Sequence, residues 1–278
     1  MKHYKNIAMI LIIALISVSS VFSQKHEKTI VIGVAPGPYG DLITRGIKPY
    51  LEKKGYTIEL KQFSDYIQPD LALNNKEVDA NLYQHTPFLV KLSADRGLKL
   101  SPVIKIPTAG VGVYSKKIKN ISQLKDGDEV TIPNDPTNET RALKLLSVNN
   151  LITFKQNIDV TKASEKDIES NPHNLKIRPV EAAQLPRTLD AVAISVINGN
   201  YAIAAGIPLN SALIKEVLDE DHKNVLAVHS DDVNKQFVKD LKEAIESETF
   251  KKAIENPKDI FNSFQKPQWY LDKWKIKQ

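Results

Sequence analysis

The chain has 278 residues, 42% of them hydrophobic, and its 38 basic and 33 acidic side chains leave a net charge of +5. With charges so nearly balanced and no basic run interleaved with aromatics, the sequence offers no stacking platform for DNA or any other nucleic acid. The absence of cysteine excludes disulfide staples, thiolate metal sites and cysteine nucleophiles.

The basic start Met1 to Lys5, the apolar run Ile7 to Val18 and the small residues up to Ser23 form the pattern of a secretory signal peptide, with cleavage expected after Ser23. The run is short for a membrane span and nothing after it resembles a stop-transfer flank, which weighs against an uncleaved anchor. Removing residues 1–23 deletes Lys2 and Lys5 and no acid, lowering the net charge from +5 to +3. It also removes Met1 and Met9, so the remaining chain contains no sulfur. With no cysteine to carry a lipid at the junction, the expected product is soluble and exported to the periplasm.

Lys28 to Ala35 is an almost unbroken β-branched run, as in a strand buried on both faces, and Pro36-Gly37-Pro38 ends it. Leu42, Ile43, Ile47 and Leu51 then recur at helical spacing over Asp41 to Lys54, before a second strand from Tyr56 to Phe63. Further helix and strand signals alternate: helix Gln68 to Leu73, strand Val78 to Tyr83, helix His85 to Leu92 and strand Leu98 to Ile106. The pattern restarts with Val111 to Tyr114, Glu129 to Ile132 and the helix carrying Arg141, which Asn149-Asn150 closes. Helices are expected at Glu165 to Asn171, Pro186 to Asp190, Tyr201 to Ala205, Asp232 to Ser247 and Phe250 to Ile254, with strands at Ala191 to Ile197 and Val225 to Val228. Two successive βα series predict an α/β protein of two lobes: residues 24–107 with 229–278 returning, and residues 108–228. Ligands of such folds sit beyond the carboxyl ends of the strands, in the crevice between lobes.

Polar clusters fall at four strand ends: Ser64-Asp65-Tyr66, Tyr83-Gln84-His85, Asn134 to Arg141, and Asn198 to Tyr201. In the third, Pro133 and Pro136 forbid helix before the turn and suit it just after, while Asp135, Thr137 and Asn138 are all plausible caps. Arg141, one turn in, is placed either as a bidentate clamp for a small carboxylate or as the solvated side chain of an ordinary surface helix. Tyr66 and Tyr83 fit an uncharged ligand side chain or a place in the core rim. His85 is suited to a ligand hydrogen bond or to capping the helix that Pro87 begins. Asn198 and Asn224 each offer a donor and an acceptor, as a zwitterion requires, but are also common turn formers. No histidine lies at metal-ligand spacing from another, so neither a metal nor a cofactor is expected. No phosphate loop and no Gly-x-Ser-x-Gly elbow occurs, which points to holding a ligand and away from an enzyme.

The segments Phe63-Ser-Asp-Tyr-Ile-Gln-Pro69, Val78-Asp-Ala-Asn-Leu-Tyr-Gln-His85, Tyr114-Ser-Lys-Lys-Ile118, Ile132-Pro-Asn-Asp-Pro-Thr-Asn138, Glu181-Ala-Ala-Gln-Leu-Pro-Arg187 and Val196-Ile-Asn-Gly-Asn-Tyr201 together resemble the NlpA/MetQ-type substrate-binding lipoproteins, receptors of methionine ABC importers. The resemblance runs from about Thr29 to about Phe250. It implies a periplasmic-binding-protein fold of type II, hinged by two crossovers, and a monomer that hands L-methionine or a close relative to an ABC permease. D-methionine, a methionine dipeptide or another amino acid are the alternatives, and an enzyme on the same scaffold is the rival class. It further implies that Arg141 pairs with the ligand carboxylate, that Asn198 and Asn224 bind the amino-acid head group, and that Tyr66, Tyr83 and His85 surround its side chain with Asn138 nearby. Two features depart from the family pattern: Tyr83 stands where phenylalanine is more usual, and Thr140 where glycine often precedes the arginine. The family's lipid-bearing cysteine is also missing.

Overall fold

The computed structural model describes residues 28–276, so the signal-peptide reading of residues 1–23 lies outside the described residues. The first βα series folds as expected from its pattern. Strand β1 (Lys28–Val34) leads through two short helices, α1 (Tyr39–Leu42) and α2 (Lys48–Lys53), joined by a π-helical turn, into β2 (Tyr56–Gln62). Helix α3 (Gln68–Asn74), strand β3 (Ala80–His85), helix α4 (Thr86–Arg96) and strand β4 (Leu100–Lys105) follow. Every residue of β3 is buried, as expected of a strand at the centre of its sheet with neighbours on both sides.

The second series comprises β5 (Gly112–Tyr114), β6 (Glu129–Pro133), α5 (Pro136–Val148), β7 (Thr153–Phe154), β8 (Ile168–Ser170) and β9 (Lys176–Val180). It continues through α6 (Leu185–Thr188), β10 (Ile194–Ile197), α7 (Gly199–Ala204) and β11 (Ile214–Lys215). The chain then returns with β12 (Asn224–His229) and ends in α8 (Gln236–Ile245), α9 (Glu248–Ile254) and α10 (Gln268–Trp274).

Two sheets result. The first has the order β2-β1-β3-β12-β4, the second β11-β5-β10-β6-β9. Strands β1, β2 and β3 run parallel, whereas β12 is antiparallel to both β3 and β4. Its direction follows from its route, since it enters the first sheet from the far side after the second sheet is complete. The crossing back therefore precedes Asn224, not residue 229 as the sequence suggested. A short run such as Val225 to Val228 announces burial but not which sheet will take it.

One other expectation fails locally, and two elements appear where none was expected. Glu165 to Asn171 is not a helix: a 3-10 turn at Glu165–Asp167 gives way to β8, which pairs with β7. Pro179 interrupts the strand pattern of β9, yet as the edge strand beside β6 it tolerates a residue without an N–H. Helix α10 carried no periodic signal, but it buries Tyr270 against the first core.

One apolar core lies under the first sheet, joining Ile30, Ile32, Leu42 and Leu51 to Leu241, Phe250, Phe261 and Tyr270 from the C-terminal segment. A second contains Val113, Val130, Ile132, Leu143, Leu146 and Ile194. Between them run two connections, residues 106–111 and 216–223. Gln265 ties both together. Its backbone exchanges hydrogen bonds with Thr108, its side-chain Nε2 donates to the Glu216 carbonyl (2.8 Å), and its Oε1 accepts from Leu218 N (2.8 Å). The tail thus clasps both connections through a single antiparallel bridge at Thr108 and Gln265, a feature with no signal in the sequence.

Candidate functional site

At the carboxyl ends of β2, β3, β6 and β10 the two lobes face each other, and all seven candidate residues, Tyr66, Tyr83, His85, Asn138, Arg141, Asn198 and Asn224, line one cavity there. Tyr39, Gln84, Phe88 and Asn200 line it as well. The side chains leave about 20 Å³, enough for one water-sized guest. The walls come from both lobes, so admitting anything larger requires the lobes to part.

Asp135 resolves the choice among three caps. It begins α5 as N-cap, its carboxylate accepting from Asn138 N (3.0 Å). The same carboxylate takes both hydrogen bonds from the Asn138 side-chain amide, at 3.1 and 3.0 Å, which fixes the opposite end of that amide. The helix N-terminus is therefore satisfied by its own cap, and recognition falls to side chains.

Asn138 Oδ1 becomes a point of convergence. Asn198 Nδ2 donates to it at 2.9 Å, His85 Nε2 at 3.2 Å and Arg141 Nη1 at 3.5 Å. Three donors from three separate elements on one oxygen form the environment that a carboxylate oxygen also seeks. His85 performs both of the tasks open to it. Its Nδ1 caps α4 by accepting from Phe88 N (3.2 Å), which places the ring proton on Nε2 toward Asn138. Burial, then the nearby Arg141 charge, hold its pKa well below the usual histidine range, so the ring is neutral near pH 7.

Arg141 is not solvated. It is buried, and Glu216 grips its Nε and Nη2 at 2.5 and 2.6 Å. Burial works against both charges, but the pairing outweighs it: the arginine pKa is raised and the glutamate pKa lowered. Asn198 Oδ1 is buried without a partner, an unsatisfied acceptor on the cavity wall. Asn224 holds its place through Nδ2, which donates to the Tyr83 carbonyl (2.8 Å), while its backbone N–H donates to Thr108 Oγ1 (2.8 Å).

The aromatic wall is built by stacking. The Tyr66 and Tyr83 rings lie 5.8 Å apart and 22° from parallel, and Tyr66 also meets Phe88 and Tyr201. Their polar tips serve the protein: Tyr83 O–H donates to the Tyr66 carbonyl (2.5 Å), and Tyr66 O–H to Asn200 Oδ1 (2.6 Å). Burial pushes both phenols well above their ordinary pKa. Thr140 turns away from the cavity. Its hydroxyl lies 2.8 Å from both the Pro136 and Ala163 carbonyls, so the residue fastens the chain after β7 to α5.

Two residues of consequence were missed. Asn200 sits within a loop recognised as polar, yet nothing in sequence distinguished it from Asn198; in space it spans the cleft, bonding Tyr66 and, through Nδ2, the Pro36 carbonyl (2.8 Å). Gly37 makes that approach possible, since a Cβ there would stand 2.7 Å from Asn200 Cβ and its φ is +132°. Asn200→Ala removes both cross-lobe bonds and strands a buried phenol, at a cost of about 1–3 kcal/mol to the closed arrangement. Small-angle scattering should show a larger radius of gyration for this variant than for the wild type, and superimposable curves would assign closure to other contacts. Glu216, the second omission, stands among unpatterned residues and had no signal at all. Among the described residues, no group of three or more His, Cys, Asp or Glu is placed to hold a metal ion, and no helix is long and apolar enough to cross a membrane.

Two α/β lobes on a double crossover, closing over a small polar cavity, define a solute-binding fold of type II. The family model for NlpA lipoprotein matches residues 30–269, and the chain belongs to that family. It is 37% identical over 249 residues to the D-methionine-binding lipoprotein MetQ of Salmonella typhi, covering 88% of this chain and 90% of the relative. Among solved structures, it resembles a nutrient-binding protein from Burkholderia cenocepacia bound to methionine, with a TM-score of 0.78, 37% identity, and coverage of 82% of this chain and 95% of the other. It is similar also to the methionine-binding protein MetQ, with a TM-score of 0.80, 35% identity, and coverage of 86% and 97%.

Proposed function

We propose that this protein is an extracytoplasmic receptor that closes over L-methionine, or a close relative such as D-methionine or a methionine dipeptide, and presents it to an ABC importer. The observation that carries the reading is that Arg141, His85 and Asn198 converge on Asn138 Oδ1, gathering their donors on one wall of a cavity whose other wall is Tyr66, Tyr83 and Phe88. A ligand carboxylate beside Asn138 would receive the guanidinium N–H groups of Arg141 that Glu216 leaves free. The unpartnered Asn198 Oδ1, with Asn224, would serve the ammonium, and the stacked tyrosines and His85 would flank a thioether side chain. The names of the relatives as methionine-binding proteins support the same ligand.

Binding without turnover is part of the proposal, as are action as a monomer and export to the periplasm. The export pattern of residues 1–23 and the family's lipoprotein character support the compartment. Osmotic shock should release the protein from cells, and retention with membranes would assign it a tether. Ligand identity is tested by mass spectrometry of whatever denaturation releases from the purified protein. Methionine or a methionine derivative is the expected result, and a compound that is not an amino acid would overturn the proposal.

A further inference from the structure

Arg141 has five N–H donors, and Glu216 takes two of them along the Nε/Nη2 edge. The two N–H groups of Nη1 and one of Nη2 remain, on the side of Asn138. The guanidinium is thus shaped to lie between two carboxylates, one of the protein and one of a ligand. Glu216 is itself firmly seated at the start of the second connection. Its Oε2 accepts from Val111 N (2.8 Å), its backbone N–H donates to the Val111 carbonyl (3.0 Å), and its own carbonyl is held by Gln265. With its side chain only 12% exposed, it has little freedom to leave.

Charge makes this more than a matter of position. Arg141 is the one residue lining the cavity that carries a formal charge, because His85 is neutral. Glu216 cancels it from behind. Against this balanced pair a net-neutral guest adds no net charge, whereas a guest bearing only a carboxylate adds a negative one in a poorly solvated space, where such an excess is costly. We propose that Glu216 is a positioning and specificity-determining residue, fixing the Arg141 fork and setting a charge balance that favours zwitterionic over anionic ligands. This rests on the reading of the cavity as an amino-acid site.

The test compares methionine with its des-amino analogue, 4-(methylthio)butanoate, by calorimetry on the wild type, Glu216→Gln and Glu216→Asp. Glu216→Gln keeps the shape and removes the charge. The preference for methionine over the analogue should fall at least about tenfold in this variant, whereas Glu216→Asp, which keeps the charge, should retain the wild-type ratio even if both affinities drop. An unchanged ratio in Glu216→Gln, or an equal shift in both variants, overturns the proposal while leaving the amino-acid site intact. If Glu216→Gln does not fold, Glu216→Asn takes its place, and failure of both neutral variants where Glu216→Asp folds would reduce Glu216 to a structural role. Failure of the wild type to bind methionine would instead refute the underlying reading, and the inference would fall with it.

Discussion

Arg141→Ala should lose methionine affinity by about 3–5 kcal/mol, roughly two to four orders of magnitude in Kd. Its guanidinium is buried between Glu216 and Asn138, on whose Oδ1 His85 and Asn198 also converge. Truncation would leave the ligand carboxylate without its strongest partner and also strand the Glu216 carboxylate in a buried place. The variant should therefore melt at a lower temperature even without methionine, which separates the two consequences. Arg141→Lys is expected to fall between, because an ammonium keeps the charge but cannot offer parallel donors to two carboxylates at once. Calorimetry gives the affinities and thermal denaturation the stabilities. Methionine binding by Arg141→Ala as tight as the wild type's would remove the carboxylate end of the site from α5.

A second large effect concerns stability against pH, behind the cavity wall. Asp70, in the first turn of α3, is buried and accepts from Asn81 Nδ2 (2.9 Å) and Gln84 Nε2 (2.6 Å) on β3. Burial pushes its pKa from 3.8 up to about 7, with the two amides pulling in the other direction. Its Oδ2 has no partner, and Asn81 Oδ1 and Gln84 Oε1 also lack a donor, so a proton on the carboxyl would supply what this cluster is short of. Between those two pKa values the unfolded chain binds fewer protons at this site than the folded one, so stability falls as pH rises. The full difference is roughly 4 kcal/mol from this one group. Asp70→Asn retains the acceptor for both amides and cannot ionise. Urea titrations between about pH 4 and pH 7 should show the wild type losing stability relative to Asp70→Asn as pH rises, and parallel profiles would mean that Asp70 titrates normally. Since Gln84 lines the ligand cavity, ionisation of Asp70 would be felt within one side chain of the site.

Much of the scaffold could be read from local pattern. The β-branched run of β1, the helical spacing of Leu42, Ile47 and Leu51, and the prolines around Asn134 each impose their structure over a few residues, so a one-dimensional reading captures them. Six of the seven candidate residues that line the cavity were legible for a related reason, as polar side chains clustered where buried strands end, while Asn224 stands at the start of β12. What escaped depends on partners distant in sequence. Asn200 matters through Tyr66, 134 positions away, and Glu216 through Arg141, 75 positions away. Neither residue type nor spacing encodes such a meeting.

The sequence by itself determined an α/β chain of two βα series with polar strand ends and an arginine in the first turns of a capped helix, because backbone propensity, capping and apolar periodicity are local properties. Tertiary structure alone decided that β12 enters the first sheet, that Gln265 clasps the hinge, and that Arg141 meets the cavity already paired. Each of these is a contact between segments that the chain brings together only when both cores close, and its energy depends on burial and charge compensation that do not exist until then.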